Sequence, residues 1–297
     1  MTRKSPQRLA IESELLRAKD GGYRLNLSAL ARELQVPGPF VRTVARQFKS
    51  PRPSGGARFG TPHAGAGRKL PWNHEALRAH RTLFPGTVRP AGYDGSRLLM
   101  SGENQPKLGP RSRRGRWRGM PIYALTLEER ATCPTSCRHW GSCYGNNMPF
   151  ARRWDAASEH FQRALVANVA ALAAEHPRGF IVRLHVLGDF FSVAYVRLWL
   201  SMMERFPMMR VFGFTARTDR ADQICRDLVC YTLKNWDRFA LRFSNAPIDE
   251  CSTVTIEHPY QRPADAILCP AQIGKTESCS TCGLCWQTKR RIAFLQH

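Results

Sequence analysis

Seven of the ten cysteines in this 297-residue chain fall into two tight groups. The first group lies in the segment TCPTSCRHWGSCYG and consists of Cys133, Cys137 and Cys143. The second lies in CSTCGLCW and consists of Cys279, Cys282 and Cys285, with Cys269 in the upstream segment LCPAQ as a fourth candidate. Thiolates at such spacings can bind one soft metal centre. The sequence therefore predicts two metal sites.

The two groups differ in the number of ligands that they offer. Three protein ligands leave a coordination position open for chemistry, whereas four ligands give a closed site that is structural or carries electrons. His139, inside the first group, is a candidate fourth ligand that would close that site. The C-x2-C-x2-C spacing of the second group recurs in the ligation of [4Fe–4S] clusters and favours iron–sulfur, with zinc as the alternative.

The rest of the composition favours metal binding over disulfides. The N-terminal segment MTRKSPQRLAIESELL is charged and lacks the apolar run of a secretory signal. The longest nearly apolar stretch, residues 164–174, is too short to span a bilayer. We therefore expect a cytoplasmic protein without a membrane partner, in which thiols stay reduced. Three cysteines are assigned no role and are expected to be small buried hydrophobes: Cys225, Cys230 and Cys251.

The formal net charge is +22, and the basic excess is concentrated in the first half of the chain. Residues 1–70 carry 14 basic and 4 acidic side chains, residues 71–150 carry 12 and 5, and residues 151–297 carry 19 and 14. Arginine outnumbers lysine, which suits contacts with phosphate. The asymmetry predicts a nucleic-acid partner, and a general effect on solubility is the alternative.

Residues 1–50 have the outline of a small, basic, all-α helix-turn-helix domain. Apolar positions at helical spacing over residues 8–19 are followed by a short helix, a Pro-Gly-Pro turn and a basic helix. In a helix-turn-helix the last helix lies in the DNA major groove, so its outward-facing Arg42 and Arg46 are candidate contacts. Three helices packed for purely structural reasons would give the same pattern.

Residues 51–120 are interpreted as a basic linker region rich in Pro, Gly and Arg. Its segment KLGPRSRRGRWRG combines arginines with one tryptophan, which suits phosphate contact together with base stacking. A solvated basic loop is the alternative. The candidate nucleic-acid contacts in this region are Arg111, Arg113, Arg114, Arg116, Trp117 and Arg118.

Residues 121–297 are predicted to form a cysteine-rich α/β core that binds metal. Predicted strands (PIYALTL, FIVRLHVL, MRVFGFTAR, RFALRFS, STVTIEH) are separated by helix-length segments such as residues 150–175. This alternation implies parallel βαβ units in a sheet or a partial (β/α) barrel-like core. Chemistry in such folds collects at the carboxyl ends of the strands. The segments predicted there are the first cysteine group, Gly188-Asp189, Thr215-Ala216-Arg217 and Ser244-Asn245.

These motifs resemble a known family. Cys133-Pro134, Cys137 and Cys143-Tyr144-Gly145, followed by RLHVLGDFFS, FGFTAR, LRFSN, LCP, CSTCGLCW and IAFLQH, resemble the phage gene product 88 family over residues 121–297. That family in turn looks like a compact relative of the radical S-adenosylmethionine enzymes. The resemblance implies a three-cysteine [4Fe–4S] cluster whose open iron chelates S-adenosylmethionine. It also implies an electron donor, whose electron splits the cofactor to a 5′-deoxyadenosyl radical.

The resemblance implies roles for single residues. The first three cysteines would hold the cluster that binds the cofactor, and the other four would hold an auxiliary cluster. Gly188 and Asp189 match the Gly-Glu turn that holds the methionyl ammonium, and Thr215 and Ser244 would also contact the cofactor. The candidate catalytic residues are Asp189, His185, Arg183 and Arg217. The resemblance also implies that Arg183, His185, Thr215, Arg217 and Ser244 face one pocket. By pattern alone, Arg183 and His185 lie two positions apart on an alternating strand and would face the same side, equally compatible with core or solvent positions, and Asp189 is compatible with a helix cap.

Two functions of different classes remain open. The first is a radical S-adenosylmethionine-like iron–sulfur enzyme that acts on nucleic acid or on a protein bound to one. The second is a non-catalytic nucleic-acid-binding protein that is stabilised by iron–sulfur or zinc sites and senses redox state.

Overall fold

The computed structural model describes residues 5–20, 26–48, 68–92, 97–105, 107–246 and 251–296. The chain divides into two compact units, Met1–Gly56 and Ala57–His297. Helices and a multi-stranded sheet are both present, so the fold class is mixed α/β, as the sequence predicted. Within the described ranges, no helix has the length and hydropathy needed to cross a membrane.

The first unit contains three helices: α1 (Pro6–Asp20), α2 (Leu27–Glu33) and α3 (Gly38–Phe48). Asn26 caps α2, because its side chain accepts the backbone N–H groups of Ser28 and Ala29, each at 3.1 Å. A small apolar core joins the helices and includes Ile11, Leu30, Val36, Val41 and Val44. Arg42 is exposed on α3, whereas the side chain of Arg46 lies outside the described residues.

The second unit is built on an eight-stranded sheet. Its elements are α4 (Glu75–Arg78), β1 (Val88–Arg89), β2 (Met100–Ser101), β3 (Ile122–Ala124), β4 (Arg153–Trp154), α5 (Phe161–Glu175), β5 (Phe180–Leu184), α6 (Val193–Arg205), β6 (Met209–Thr215), α7 (Gln223–Asn235), β7 (Phe239–Ser244), β8 (Ser252–Ile256), β9 (Ile267–Leu268), α8 (Cys279–Cys282), α9 (Leu284–Gln287) and β10 (Ile292–Leu295). The strand order is β2-β3-β5-β6-β7-β8-β10-β9, and β1 pairs separately with β4. Only the β2–β3 pair is antiparallel among the described neighbours in this sheet.

Alternation along the strands gives the sheet two buried faces. Phe180, Val182 and Leu184 of β5 pack with residues of α5, α6 and α7 in the larger core. Ile181 of β5 and Phe212 of β6 belong to a second cluster, which also contains Trp117 and Trp286. Burial on both faces is typical of parallel sheets and explains the nearly continuous apolar character of these strands. The second face carries the C-terminal cysteine segment.

The region predicted as a linker belongs largely to the second unit. From residue 68 onward its described parts pack into the fold: β2 pairs with β3, and Leu98, Leu99 and Leu108 are buried. The boundary predicted at residue 120 is therefore corrected, because isolated apolar residues fill places against the sheet without forming a periodic pattern. The Pro- and Gly-rich residues 51–67 lie outside the described residues.

The helix predicted over residues 150–175 begins only at Phe161. Before it, Arg153 and Trp154 form β4 beside β1, and Trp154 is buried with its Nε1 donating to the Leu98 carbonyl at 3.0 Å. The core side chains of residues 150–175 therefore come from two elements, β4 and α5.

Candidate functional site

Four neighbouring parallel strands deliver the predicted site segments to one edge of the sheet. β3, β5, β6 and β7 pair in that order, so their carboxyl ends lie side by side. The first cysteine group follows β3, Gly188-Asp189 follow β5, Thr215 ends β6 and Ser244 ends β7. In open α/β sheets, ligands bind outside this edge. The structure thus brings together segments that are distant in sequence.

Asp189 ties the ends of β5 and β6 to the first cysteine group. Its carboxylate accepts hydrogen bonds from Phe190 N–H, Thr215 Oγ1 and Ala216 N–H, each at 2.7 Å. Its own N–H donates to Thr132 Oγ1 at 3.2 Å, one residue before Cys133. Burial raises the pKa of Asp189 to about 6, against the lowering effect of these hydrogen bonds. The side chain therefore serves first as a brace between strand ends.

Gly188 allows this turn because it adopts φ +84°, in the left-handed region. Replacing Gly188 by alanine is expected to destabilise the fold by about 2–4 kcal/mol, because the new Cβ would lie 2.6 Å from both Leu127 Cβ and Thr132 Oγ1. Gly274→Ala is the matched control, since Gly274 has φ +70° in open space. Urea denaturation should show a loss of only about 1–2 kcal/mol for the control. Equal losses would contradict the steric argument.

Buried charges hold the first cysteine loop, defined as residues 133–147. Arg153 donates to Glu129 Oε2 at 2.6 Å and to the Gly145 carbonyl at 3.1 Å, and both charged side chains are fully buried. Arg130 donates to the Trp140 carbonyl at 3.2 Å and to the Asn146 side chain. Sequence reasoning missed these residues, although the run Glu-Glu-Arg, two residues before the loop, is a signal of Glu129 and Arg130.

The three thiols of the first cysteine loop lie close enough to influence one another. Burial raises the pKa of each, to about 11 for Cys143. The Asp189 carboxylate and the other two thiols raise the pKa of Cys133 further. Thiols in such surroundings need a cation to become thiolates, which is the state that binds metal. His139, the candidate fourth ligand, has its Nε2 3.2 Å from Thr255 Oγ1 of β8.

The four cysteines of the second group surround one small cavity of about 10 Å³. α8 and α9 supply Cys279, Cys282 and Cys285, while Cys269 follows β9. Cys269 N–H donates to the Ala293 carbonyl of β10 at 2.9 Å, which fixes this ligand candidate to the sheet. The structure thus places all four predicted ligands around the same space.

Arg242 anchors this second group and was missed by sequence reasoning. It lies in the middle of β7, fully buried, and donates to the carbonyls of Cys285 and Arg290 at 3.0 Å each and to that of Thr288. An arginine within a predicted strand is normally assigned to the solvent face. Here its fork of donors instead satisfies three carbonyls of the cysteine segment.

Within the described ranges, no set of three or more Cys, His, Asp or Glu side chains is arranged as ligands around a single metal ion.

The sequence profile of the gene product 88 family matches residues 98–288. The chain belongs to the gene product 88 family. The gene product 88 match includes all seven clustered cysteines and the site strands β3, β5, β6 and β7. It also starts before residue 121, in agreement with the packing of β2 onto the gene product 88 core. Comparisons with curated proteins and with solved structures found no match.

In this gene product 88 chain, Arg183 and His185 lie on different faces of the sheet, contrary to the expectation that both face one pocket. The Arg183 guanidinium lies 4.5 Å from the ring centroid of Phe214, on the face that carries the second cysteine group. Burial raises the pKa of Cys279 and Cys285, and the Arg183 charge partly offsets this by lowering the pKa of both thiols. His185 follows the last residue of β5, where strict alternation ends.

His185 is a core residue in the gene product 88 fold. Its ring packs against Phe190 and Tyr195, at centroid distances of 5.0 and 5.9 Å, and its Nε2 lies 3.1 Å from Tyr195 Oη. It is buried in this core, contrary to the expectation that it faces the site pocket. Burial, followed by the Arg183 charge, lowers the pKa of His185 to about 3.

The low pKa of His185 predicts a pH-dependent loss of stability. The unfolded chain takes up a proton at this histidine below about pH 6.5, whereas the folded chain does so only near pH 3. His185 therefore removes about 1.4 kcal/mol of stability per pH unit as the pH falls through that window. The free energies of unfolding of wild type and His185→Phe should be measured from pH 7 downward. The value for the variant relative to wild type should rise at this slope as the pH falls. A difference that is independent of pH would contradict the assignment.

The remaining candidates at the strand ends hold the backbone in place. Arg217 Nε donates to the Phe190 carbonyl at 2.8 Å, and its Nη1 lies 3.5 Å from Asp222 Oδ2. Ser244 is half-buried at the end of β7, and the next residue, Asn245, accepts the Thr255 N–H at 2.9 Å. These contacts connect β5, β6, β7 and β8 near the first cysteine loop.

The basic segment of the gene product 88 chain is partly built into the core, and its Trp117 requires a correction. Trp117 is buried, stacks on Trp286 at a centroid distance of 5.5 Å and donates its Nε1–H to the Asp237 carbonyl at 3.0 Å. It therefore cannot stack on a base. Arg116 pairs with Asp237 and donates to the Trp286 carbonyl at 2.6 Å. The remaining exposed arginines here are Arg111, Arg113, Arg114 and Arg118.

Proposed function

We propose that this chain is a radical S-adenosylmethionine-like iron–sulfur protein that acts on or at nucleic acid. One observation carries the proposal: three clustered thiols, a Gly-Asp turn and the ends of two further parallel strands meet at one edge of the sheet. That edge is where α/β folds bind ligands. The net charge of +22 supports a polyanionic partner. The proposal includes a cytoplasmic location, because nucleic acid is present there.

The donor sets support iron–sulfur at both places. Three thiols in the first cysteine loop suit a [4Fe–4S] cluster with one iron left for another ligand. Such a cluster supplies one-electron reduction of S-adenosylmethionine, the source of a 5′-deoxyadenosyl radical. Four thiols suit a closed auxiliary cluster, or a zinc ion as the alternative; the cavity of about 10 Å³ that they line has room for a single ion, so a cluster requires the four side chains to move apart.

The residues of the strand ends would position the cofactor. Asp189 uses three acceptor positions of its carboxylate within the protein, two at Oδ1 and one at Oδ2, and a carboxylate offers about four. Oδ2 therefore retains acceptor capacity for a cationic amino group. The backbone N–H of Asp189 donates to Thr132, the residue before Cys133. A ligand that binds the Asp189 carboxylate would therefore also affect the position of the first cysteine loop.

Two finer features of the fold belong to the same proposal. We propose that the run of parallel strands from β3 to β10 curves as a partial (β/α) barrel, supported by its helices α5, α6 and α7 on one face. We also propose that the first unit is a DNA-binding helix-turn-helix. Its support is the four-residue connection between α2 and α3, and the exposed Arg42 on α3.

A non-catalytic nucleic-acid-binding role is the second candidate. It is favoured by the engagement of the predicted catalytic side chains: His185 is buried, and Asp189 and Arg217 make structural hydrogen bonds. In that case metal bound at the cysteine sites would only stabilise the fold of a basic, nucleic-acid-binding protein.

Cofactor cleavage distinguishes the two candidates. Protein purified anaerobically, with iron, sulfide and zinc measured, would be incubated with a reductant and S-adenosylmethionine. The proposed enzyme releases 5′-deoxyadenosine, and Cys143→Ala abolishes the release while retaining the iron of the second group. Iron-loaded wild type that releases none, or zinc in place of iron at the first cysteine loop, would sink the catalytic proposal.

A further inference from the structure

We propose that single-stranded nucleic acid binds beside the first cysteine loop, with bases stacked on three exposed aromatic rings. These rings, called the aromatic rim, are Trp72, Tyr144 and Phe150, with exposed fractions of 87%, 42% and 96%; the hydroxyl end of Tyr144 is buried, which raises its pKa, so only part of this ring is accessible. Aromatic rings of this size are mostly buried in folded proteins. Among the described residues, three of the four large exposed aromatic side chains belong to the rim; the fourth is Tyr260. The inference deepens the proposed function by naming its substrate class.

Hydrogen bonds join the segments that carry the rim. Leu70 N–H donates to the Gly141 carbonyl at 2.9 Å, and the Asn146 side chain donates to the Arg68 carbonyl at 2.7 Å. Tyr144 lies between these two anchors on the loop, and Trp72 lies two residues beyond Leu70, at most about 8 Å along the chain. Phe150 lies four residues beyond Asn146, within about 15 Å. The three rings are therefore carried by segments that are hydrogen-bonded to one another.

The charge of this surface fits a polyanion. Arg68, Lys69 and Arg138 are exposed on the same two segments, and residues 68–72 and 133–150 contain no Asp or Glu. The nearby carboxylates Glu128 and Glu129 are buried and paired with arginines, whereas Glu75, three residues beyond Trp72, is exposed. Cations beside accessible aromatic faces are the combination by which proteins hold single strands. A duplex hides the faces of its bases, so it would meet the cations but not the rings.

The location gives the surface a role in the reaction. Tyr144 directly follows Cys143, so a base stacked on it would lie next to the candidate cluster site. The buried network of Glu129, Arg130 and Arg153 fixes the loop that carries this ring. A fixed platform binds with a smaller loss of conformational entropy than a mobile loop. The aromatic rim would therefore present an unpaired nucleotide to the strand ends.

Binding of oligonucleotides of about 20 residues to the full-length protein tests the inference. The probes are fluorescent oligothymidylate, oligouridylate and a DNA duplex of equal length, and the readout is anisotropy. We expect Trp72→Ala and Phe150→Ala each to weaken single-strand binding by about tenfold and duplex binding by less than about twofold. Tyr260→Ala is the matched control, because Tyr260 is 82% exposed but outside the rim, and it should bind as wild type does. The two single-strand probes decide between DNA and RNA.

Wild-type affinity in both rim variants would overturn the inference, as would equal losses for single strand and duplex or an equal loss in Tyr260→Ala. Iron, sulfide and thermal melting are measured on each variant and should match wild type. If a variant loses single-strand binding while its metal content is unchanged, the loss is due to the missing aromatic ring and not to a damaged metal site. Conversely, failure of wild type to release 5′-deoxyadenosine would leave the rim measurement intact, so the two proposals fail separately.

Discussion

Replacing Arg153 by methionine is expected to destabilise the second unit by about 3–5 kcal/mol, because it leaves the charge of Glu129 buried and unpaired. Arg153 donates to both Glu129 oxygens, at 2.6 and 3.1 Å, and to Thr87 Oγ1 at 2.9 Å. After the change, Glu129 keeps the Thr82 hydroxyl at 2.8 Å, which is too weak a partner for a buried carboxylate. Urea denaturation followed by circular dichroism measures the loss.

The double variant Arg153→Met with Glu129→Gln separates charge burial from lost packing. Because no charge remains buried, the double variant should lose clearly less stability than Arg153→Met alone. If the two lose the same amount, the network holds the first cysteine loop through packing, and the electrostatic argument is contradicted.

Replacing Arg242 by methionine is expected to release the second cysteine segment from the sheet. The carbonyls of Cys285, Thr288 and Arg290 lose their common donor at once, and we expect a loss of about 2–4 kcal/mol. The variant should bind no metal at the second group while keeping that of the first cysteine loop. Iron, sulfide and zinc per chain, together with proteolysis near the C-terminus, measure both effects.

Two comparisons sharpen this result. Arg242→Lys should restore little, because one ammonium cannot reproduce a planar fork that reaches three carbonyls. Cys143→Ala should show the reverse pattern, with metal lost only from the first loop. Metal content that stays at the wild-type level in Arg242→Met would contradict the role of Arg242 as an anchor.

Local patterns in the sequence were enough to predict the mixed α/β class and the order of the site segments. The strands β5, β6 and β7 are compact β-rich runs, and the helices between them have adequate length, so their parallel arrangement follows from connectivity. The grouping of the seven cysteines is likewise a matter of spacing, and each group is gathered in one region of the second unit.

The orientation and burial of several side chains depend on residues that are distant in the sequence, so local patterns did not predict them. Alternation predicts the same side for Arg183 and His185, but β5 ends between them and the chain turns His185 into the core. Trp117 lies in a run of arginines and is buried against residues far along the chain, among them Trp286, which stacks on it. Arg153 and Arg242 are charged residues in apolar places, and burial of each depends on acceptors that no local window contains.

The position of β10 has a consequence for how the molecule assembles. β10 lies between β8 and β9, although it follows both in the chain, and in the described sheet β9 pairs with β10 alone. The connection between β9 and β10 carries all four cysteines of the second group. We therefore expect the β9–β10 connection to adopt its folded conformation only when β10 pairs between β8 and β9, which is a late and non-local step. Gathering of the four thiols and completion of the sheet would then be a single event, reached only once β10 has paired with both of its neighbours.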